Sequence, residues 1–244
     1  MRVAVLSDIH SNLAALEAVL VDAEAAGADD FWCLGDTVGY GPQPRECLAI
    51  VRERCSLTLA GNHDLGSTGA VSIADFNPYA AAANRWTGKM LTEGDRDFLD
   101  SLPSLLTWKK VTLAHGSPRE PVWEYVVSGP VAEASFASFP TPLCFVGHSH
   151  LPFHSRETQN GEPPRLDRFI EEAEVDLSEG RFIVNPGSVG QPRDGDSRAS
   201  YALFDMERRC VVLHRVAYDI EETQQRIRYA GLPEYLATRL AVGH

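Results

Sequence analysis

Two short stretches carry dense polar chemistry: Gly61-Asn62-His63-Asp64 and Gly147-His148-Ser149-His150. Three others have a similar make-up: Asp8-Ile9-His10, Gly35-Asp36 and His115-Gly116. Imidazole and carboxylate together suit zinc, manganese or iron rather than calcium. A lone histidine is more often packed or solvated than a ligand. Here five of the chain's eight histidines fall in these clusters, with Asp or Asn close by, and coincidence is a poor account of that. Asp8 and His10 are two residues apart, as are His148 and His150. In an extended segment each pair would face the same way, with Cα atoms about 6–7 Å apart. That spacing suits one ligand for each of two metals about 3.5–4 Å apart. The neighbouring glycines let backbone and ion approach closely.

These clusters need elements to hold them. "RVAVLSD" reads as a buried strand, "NLAALEAVLVDAEAAG" as a helix stopped at Gly27, and "DDFWCLGD" as a second strand. "PRECLAIVRER" is a second helix and "CSLTLAGNHD" a third strand. The βαβαβ order predicts a parallel sheet with right-handed crossovers. "SLLTWKKVTLAHG" and "PLCFVGHSH" resume strand character, and residues 70–102, with Pro78, read as helical. "RFIVNPGS", "SYALFDM" and "CVVLHRVAY" read as antiparallel strands, which could leave an edge open for pairing. "DIEETQQRIRYAG" and "EYLATRL" are helical, and Asn160-Gly161 reads as a turn. Every polar cluster follows a strand. In open α/β sheets, ligands bind beyond the carboxyl ends of the strands.

In order, "DIH", "GDTVGYGP", "GNHD", "AHG" and "GHSH" match the signature of the calcineurin-like metallophosphoesterases, and the chain most resembles their small bacterial and archaeal branch, "NPGSVGQPRD" included. The resemblance implies a four-layer αββα sandwich: an α/β (α+β) fold of two mixed β-sheets flanked by helices. It implies one domain over residues 1–244, with a helical insertion at about 66–102 near the site. Two divalent ions (Mn, Fe, Zn or Ni) are implied as cofactors, manganese being the ion for assay. Asp8, His10 and His150 would hold one ion, Asp36 would bridge, and Asn62, His115 and His148 would complete the other. His63 would face the substrate, with Asp64 orienting it. The activity implied is hydrolysis of a small phosphorylated molecule, a phosphodiester or phosphomonoester, by a metal-activated water. A catalytically weak binding module and a phosphoprotein phosphatase are the alternatives.

Other polar residues have plainer readings beside functional ones. Asn12 could donate to a phosphate oxygen or cap a helix. Asp64 could orient His63 or cap a turn. Arg193 suits bidentate phosphate contact, although most arginines are simply exposed. Asn185 and Ser188 could border the substrate. Trp86, Trp123 and Tyr125 read as packing.

Composition narrows the field. The net charge of −12, from 34 acidic and 22 basic residues, argues against broad nucleic-acid or anionic-membrane binding. No apolar run approaches the ~20 residues of a membrane span. The start "MRVAVLSDIH" lacks a signal peptide's apolar stretch, so a cytoplasmic location is expected. The five cysteines form no CxxC pair, which argues against a disulfide framework or a cysteine-built zinc site. Homo-oligomerisation is left open by the sheet edge.

Overall fold

The alternation in RVAVL decides the architecture. In the computed structural model, which describes residues 1–158 and 162–244, strand β1 (Arg2–Leu6) turns Val3 and Val5 to one face and Ala4 and Leu6 to the other. All four are fully buried. A strand buried on both faces needs a layer on each side. The chain supplies them through α1 (Leu13–Ala25), β2 (Asp30–Cys33), α2 (Pro44–Arg54), β3 (Cys55–Thr58), α3 (Asn62–Thr68), α4 (Pro78–Met90), α5 (Glu93–Ser101), β4 (Leu105–Trp108) and β5 (Val111–Ala114). There follow α6 (Gly129–Phe136), β6 (Leu143–Val146), β7 (Phe153–Arg156), β8 (Asp167–Arg168), β9 (Glu174–Asp176), β10 (Phe182–Asn185), β11 (Ala199–Asp205) and β12 (Cys210–Val216). Helices α7 (Ile220–Tyr229) and α8 (Glu234–Thr238) and a 3₁₀ turn over Arg239–Ala241 end the described chain.

The strands form two six-stranded mixed sheets, ordered β3-β2-β1-β11-β12-β9 and β4-β5-β6-β10-β7-β8. β1, β2 and β3 run parallel, as the βαβαβ pattern predicts, and β11 returns antiparallel against β1. In the second sheet β5, β6 and β10 are parallel. The sheets pack face to face over Val3, Val5, Trp32 and Phe204 from one and Leu113, Phe145 and Val184 from the other. The first sheet's outer face (Ala4, Leu6, Phe31, Cys33) is covered by Leu16, Val19 and Ala23 of α1 and Val51 of α2. The second sheet's outer face (Ala114, Cys144, Val146, Ile183) is covered by Ala132 and Phe136 of α6. This is the expected αββα sandwich. Where the sheets part, at the end opposite the polar clusters, Leu143, Leu177, Phe204 and Met206 line an apolar crevice of about 310 Å³.

Several local expectations change. "SLLTWKKVTLAHG" has the expected strand character and forms a hairpin, β4 antiparallel to β5, turning at Lys109 in a left-handed conformation. Residues 70–77 are not helical; α4 starts at Pro78, where a missing N–H costs nothing, and is capped by the Asn77 side chain. β10 joins the second sheet, apart from β11 and β12. The C-terminal strands do not leave an edge, because β9 pairs with β12 through Val211–Val175 and its neighbours. The edges are β3, β9, β4 and β8, of four residues or fewer, and strands so short are poor templates for pairing. The Asn160-Gly161 turn lies outside the described residues. All five cysteines are free, as their spacing predicts. Among the described residues no helix is long and apolar enough to cross a membrane.

Phe145 is fully buried and meets the Phe204 ring edge-on at 5.5 Å between the sheets. Phe145→Ala should therefore cost about 3–5 kcal/mol of stability, read as a lower urea midpoint. A loss below 1 kcal/mol would show that the two sheets do not depend on this contact.

Candidate metal centre

Asp8 and His10 follow β1, Asp36 follows β2, Asn62 follows β3, His115 follows β5, and His148 and His150 follow β6. The first four come from one sheet and the last three from the other, so the site straddles the end of the sandwich. Spacing alone predicted extended segments here. Instead Asp8, His10, Ser11, Asp36, Tyr40, His148 and His150 all have φ between 50° and 65°. Such left-handed conformations cost a non-glycine residue roughly 1–2 kcal/mol each and cluster where function demands them. The turns reverse the chain at each strand end and fold the side chains back over the sheets. This also changes the pairing: Asp8 and His10 serve one group of ligand atoms, whereas His148 and His150 are divided between two.

The two groups are Asp8, His10, His150 and Asp36, His115, His148, with the ligand atoms of each within 4.8 Å of one another. Every histidine gives its other nitrogen to a backbone carbonyl. His10 Nδ1 meets Val38 O at 3.1 Å, His115 Nδ1 meets Leu34 O at 3.0 Å, and His150 Nδ1 meets Gln191 O at 2.5 Å. His148 does the reverse, with Nε2 on Trp123 O at 3.2 Å. A carbonyl can only accept, so those nitrogens carry the protons. The inward nitrogen of each neutral ring is therefore a bare lone pair.

The carboxylates behave in the same way. Asp8 Oδ2 accepts from the Ser7 hydroxyl and from His148 N, and Asp36 Oδ1 accepts from His63 N. Their other oxygens, Asp8 Oδ1 and Asp36 Oδ2, are buried without a hydrogen-bond partner. Asp8 Oδ1 lies 3.2 Å from His150 Nε2, and the two Nε2 atoms of His10 and His150 are 3.1 Å apart. Asp36 Oδ2 sits between His10 Nε2 at 3.7 Å and His115 Nε2 at 3.5 Å, the position of a bridge. Asn62 Oδ1 faces His115 Nε2 at 3.2 Å. Buried acceptors that converge on acceptors repel unless a cation or a proton lies among them. The donor set of nitrogens and oxygens thus fits divalent ions, and it forms two adjoining cages. Gly61 makes one approach possible, since a Cβ there would overlap Asp36 Oδ1.

His63 is buried beside the cages, its ring 4.9 Å from that of His10 and 4.3 Å from that of Tyr40. Gly39, at φ 89°, leaves room for it, because a Cβ would strike the imidazole. Asp64 does not orient this ring. Its oxygens accept from Val38 N at 3.0 Å and Gly61 N at 2.9 Å, the capping role. The residue that meets His63 is Asn84 of α4, with Nδ2 2.8 Å from His63 Nδ1. The same Nδ2 donates to Ala80 O, and Asn84 Oδ1 accepts from the Ser67 hydroxyl. The Ala80 carbonyl settles which end of the amide faces His63. His63 Nδ1 must therefore accept, and its proton resides on Nε2.

The remaining polar residues divide clearly. Asn12 is a helix cap and brace: Oδ1 accepts from Ala15 N and the Thr223 hydroxyl, and Nδ2 donates to Gly190 O. That placement is at odds with a phosphate contact. Asn185 ties Gly147 O to Ser149, and Ser188 Oγ donates to Asp8 O, so both hold ligand loops in place. Arg193 is partly buried near the cages, and its charge disfavours protonation of His10, His63 and His150. Trp86 packs against the cluster formed by α7 and α8, as expected. Tyr125 does more than pack at random: it stacks on His148 at 3.8 Å and 15°. No sequence signal singled out Asn84, an Asn within an alanine-rich helix.

Burial lowers the proton affinity of His10, His63, His115, His148 and His150. Burial pushes Asp64 up to about 6, and burial with the Asp64 and Asp8 charges raises Asp36.

A family model described as the calcineurin-like phosphoesterase superfamily domain matches residues 1–209. An uncharacterized protein of Methanocaldococcus jannaschii is 42% identical over 247 residues, spanning 99% of this chain and 98% of that one. The crystal structure of a metallophosphoesterase from Sphaerobacter thermophilus is 47% identical, with a TM-score of 0.91 over 100% of this chain and 99% of that one. A hypothetical protein from Pyrococcus horikoshii, at 23% identity and TM-score 0.79 over 100% and 98% of the two chains, shares the fold.

The pH dependence of the metal-free protein follows from these shifts. Below pH ~6.5 an unfolded chain protonates histidines that the folded chain keeps neutral. Asp36 and Asp64 are shifted the other way and oppose this, two groups against six once His154, also lowered by burial, is counted. Stability of the chelator-treated protein should fall between pH 7.5 and 5.5, seen as a declining urea midpoint. A flat or rising midpoint would mean that the histidines are not held neutral.

Proposed function

The chain belongs to the calcineurin-like phosphoesterase superfamily, and on that footing we propose that it is a metal-dependent phosphoric ester hydrolase with a dinuclear centre acting on a small phosphorylated molecule. The observation that carries this reading is the pair of adjoining cages whose orphaned oxygens, Asp8 Oδ1 and Asp36 Oδ2, have no partner but a cation to meet. Asp8, His10 and His150 would hold one ion, His115, His148 and Asn62 the other, and Asp36 would touch both. When bound, such ions supply Lewis acidity toward phosphoryl oxygens and lower the pKa of water, as two-metal phosphoesterases require. Manganese is the ion to assay first; iron, zinc and nickel suit the same donors.

The chain's own residues supply the rest. The carbonyls of Val38, Leu34, Gln191 and Trp123 fix the ring orientations of the four ligand histidines. His63, proton on Nε2, is a hydrogen-bond donor beside the cages. It stabilises charge on the phosphoryl or leaving-group oxygen rather than working as an imidazolium, since Asn84 occupies Nδ1 with a donor. Aromatic groups close around this spot: Phe76 lies 5.0 Å from the His63 ring and 5.7 Å from Trp123, which bounds the space open to a substrate.

Purified protein with manganese should hydrolyse an aryl phosphodiester, an aryl phosphomonoester or both. Failure on each, across manganese, iron, zinc and nickel, would overturn the assignment. His63→Ala should retain both metals by elemental analysis and lose about 10²–10³-fold in kcat, the usual effect of removing one transition-state donor. Asn84→Ala should lower kcat about tenfold, matching one positioning hydrogen bond, with metal content intact. Full activity in either variant would remove that residue from the mechanism.

A further inference from the structure

We propose that one loop, residues 116–126, sets the grip of a single ion site, the cage of Asp36, His115 and His148, and that Tyr125 is its positioning residue; this rests on the dinuclear phosphoester-hydrolase reading. The loop leaves directly after His115 and returns over His148, the other histidine of that cage. The two imidazoles lie 4.9 Å apart. At the far end of the loop the Trp123 carbonyl accepts from His148 Nε2 at 3.2 Å. The Tyr125 ring lies flat on the same imidazole, 3.8 Å away and inclined by 15°. These contacts act differently. The hydrogen bond decides which nitrogen turns inward. The stacked ring fixes the plane of the imidazole, because a turn about Cβ–Cγ would drive its edge into the tyrosine. Together they set the direction of the Nδ1 lone pair.

The other three ligand histidines have no such dependence. Their carbonyl partners belong to Val38, Leu34 and Gln191, which are almost fully buried, whereas Trp123 and Tyr125 are 40% and 44% exposed. The loop holds its shape through its own bonds. Glu124 Oε2 accepts from Ser117 Oγ at 2.6 Å and from Arg119 Nε at 3.1 Å, and Ser117 Oγ accepts from the amides of Arg119 and Glu120. Gly116 N donates to Pro121 O at 2.6 Å, and a Cβ on Gly116 would press on the carbonyls of Glu120, Pro121 and Glu124. Val126 anchors the end of the loop in the core that α6 covers. Among the described residues no hydrogen bond or ring contact joins the loop to Asp8, His10 or His150. Loss of the stack should therefore loosen one cage and spare the other. Groups that orient a metal ligand commonly change metal affinity 10–100-fold when removed.

The test titrates manganese by calorimetry into the chelator-treated protein and into Tyr125→Leu, which fills the space without a flat face. The unmodified chain should take up two ions. In Tyr125→Leu one ion should bind about 10–100-fold more weakly and the other as before. Tyr125→Phe keeps the ring and should match the unmodified chain. Crystals of Tyr125→Leu at a manganese concentration between its two constants should show anomalous scattering at Asp8, His10 and His150 alone. Glu124→Gln frees the loop without altering the ring and should weaken the same ion, which keeps the test decisive should Tyr125→Leu fail to fold. Equal weakening of both ions, no weakening in either variant, loss of the ion at Asp8 instead, or uptake of fewer than two ions by the unmodified chain overturns the proposal. Selective weakening with no turnover of aryl phosphates would sink the hydrolase reading and leave the role of the loop standing. Turnover with both ions equally affected would do the reverse.

Discussion

The structure depends on one electrostatic constraint: buried lone pairs that face other buried lone pairs. Four imidazoles present bare nitrogens to two carboxylate oxygens that nothing else satisfies. A buried polar atom without a partner is costly, and a convergence of them is costlier. Most of the local architecture serves to sustain this arrangement. The backbone carbonyls of Val38, Leu34, Gln191 and Trp123 prevent the rings from turning their N–H groups inward. Ser7 and two backbone amides pin the outer carboxylate oxygens, so that the inner ones cannot rotate away to find donors of their own.

Backbone strain is the second part of the same design. Left-handed turns at seven non-glycine residues are unfavourable locally, and they persist because the loops that hold them follow strands locked into a sandwich. Val3 and Val5 on one face and Ala4 and Leu6 on the other hold β1 from both sides. Phe145 and its neighbours hold β6 similarly. The packed core thus absorbs a cost that the ligand loops could not sustain alone. Helix α4 adds a further layer of control, because the tautomer of His63 is decided by a helix carbonyl one turn from Asn84.

Much of this was legible before any coordinates. α2 over Pro44–Arg54 and the parallel trio β1, β2 and β3 follow directly from apolar periodicity, capping and breaker residues. The ligand positions were legible because His and Asp at strand ends are rare without a reason. What periodicity could not reveal was conformation at those ends: Asp8-x-His10 suggests an extended pair, and only tertiary packing makes the left-handed turn tolerable. β7, β8 and β9 are two to four residues long, too short to show a period of two. Asp64 looked like the partner of His63 because acids commonly orient histidines, yet its carboxylate is consumed by two amides. Asn84 lies 21 positions from His63 along the chain, and no local pattern connects the two.

Each cage takes ligands from both sheets: Asp8 and His10 against His150, and Asp36 against His115 and His148. The cages are therefore rivets through the two halves of the molecule at one pole, while the opposite pole keeps its crevice between Leu143 and Phe204. A nascent chain cannot complete one rivet until residue 148, or the other until residue 150, has emerged and both sheets have met. If the cages hold ions as proposed, capture can only follow that meeting, and an ion's departure would loosen the seam from the working end.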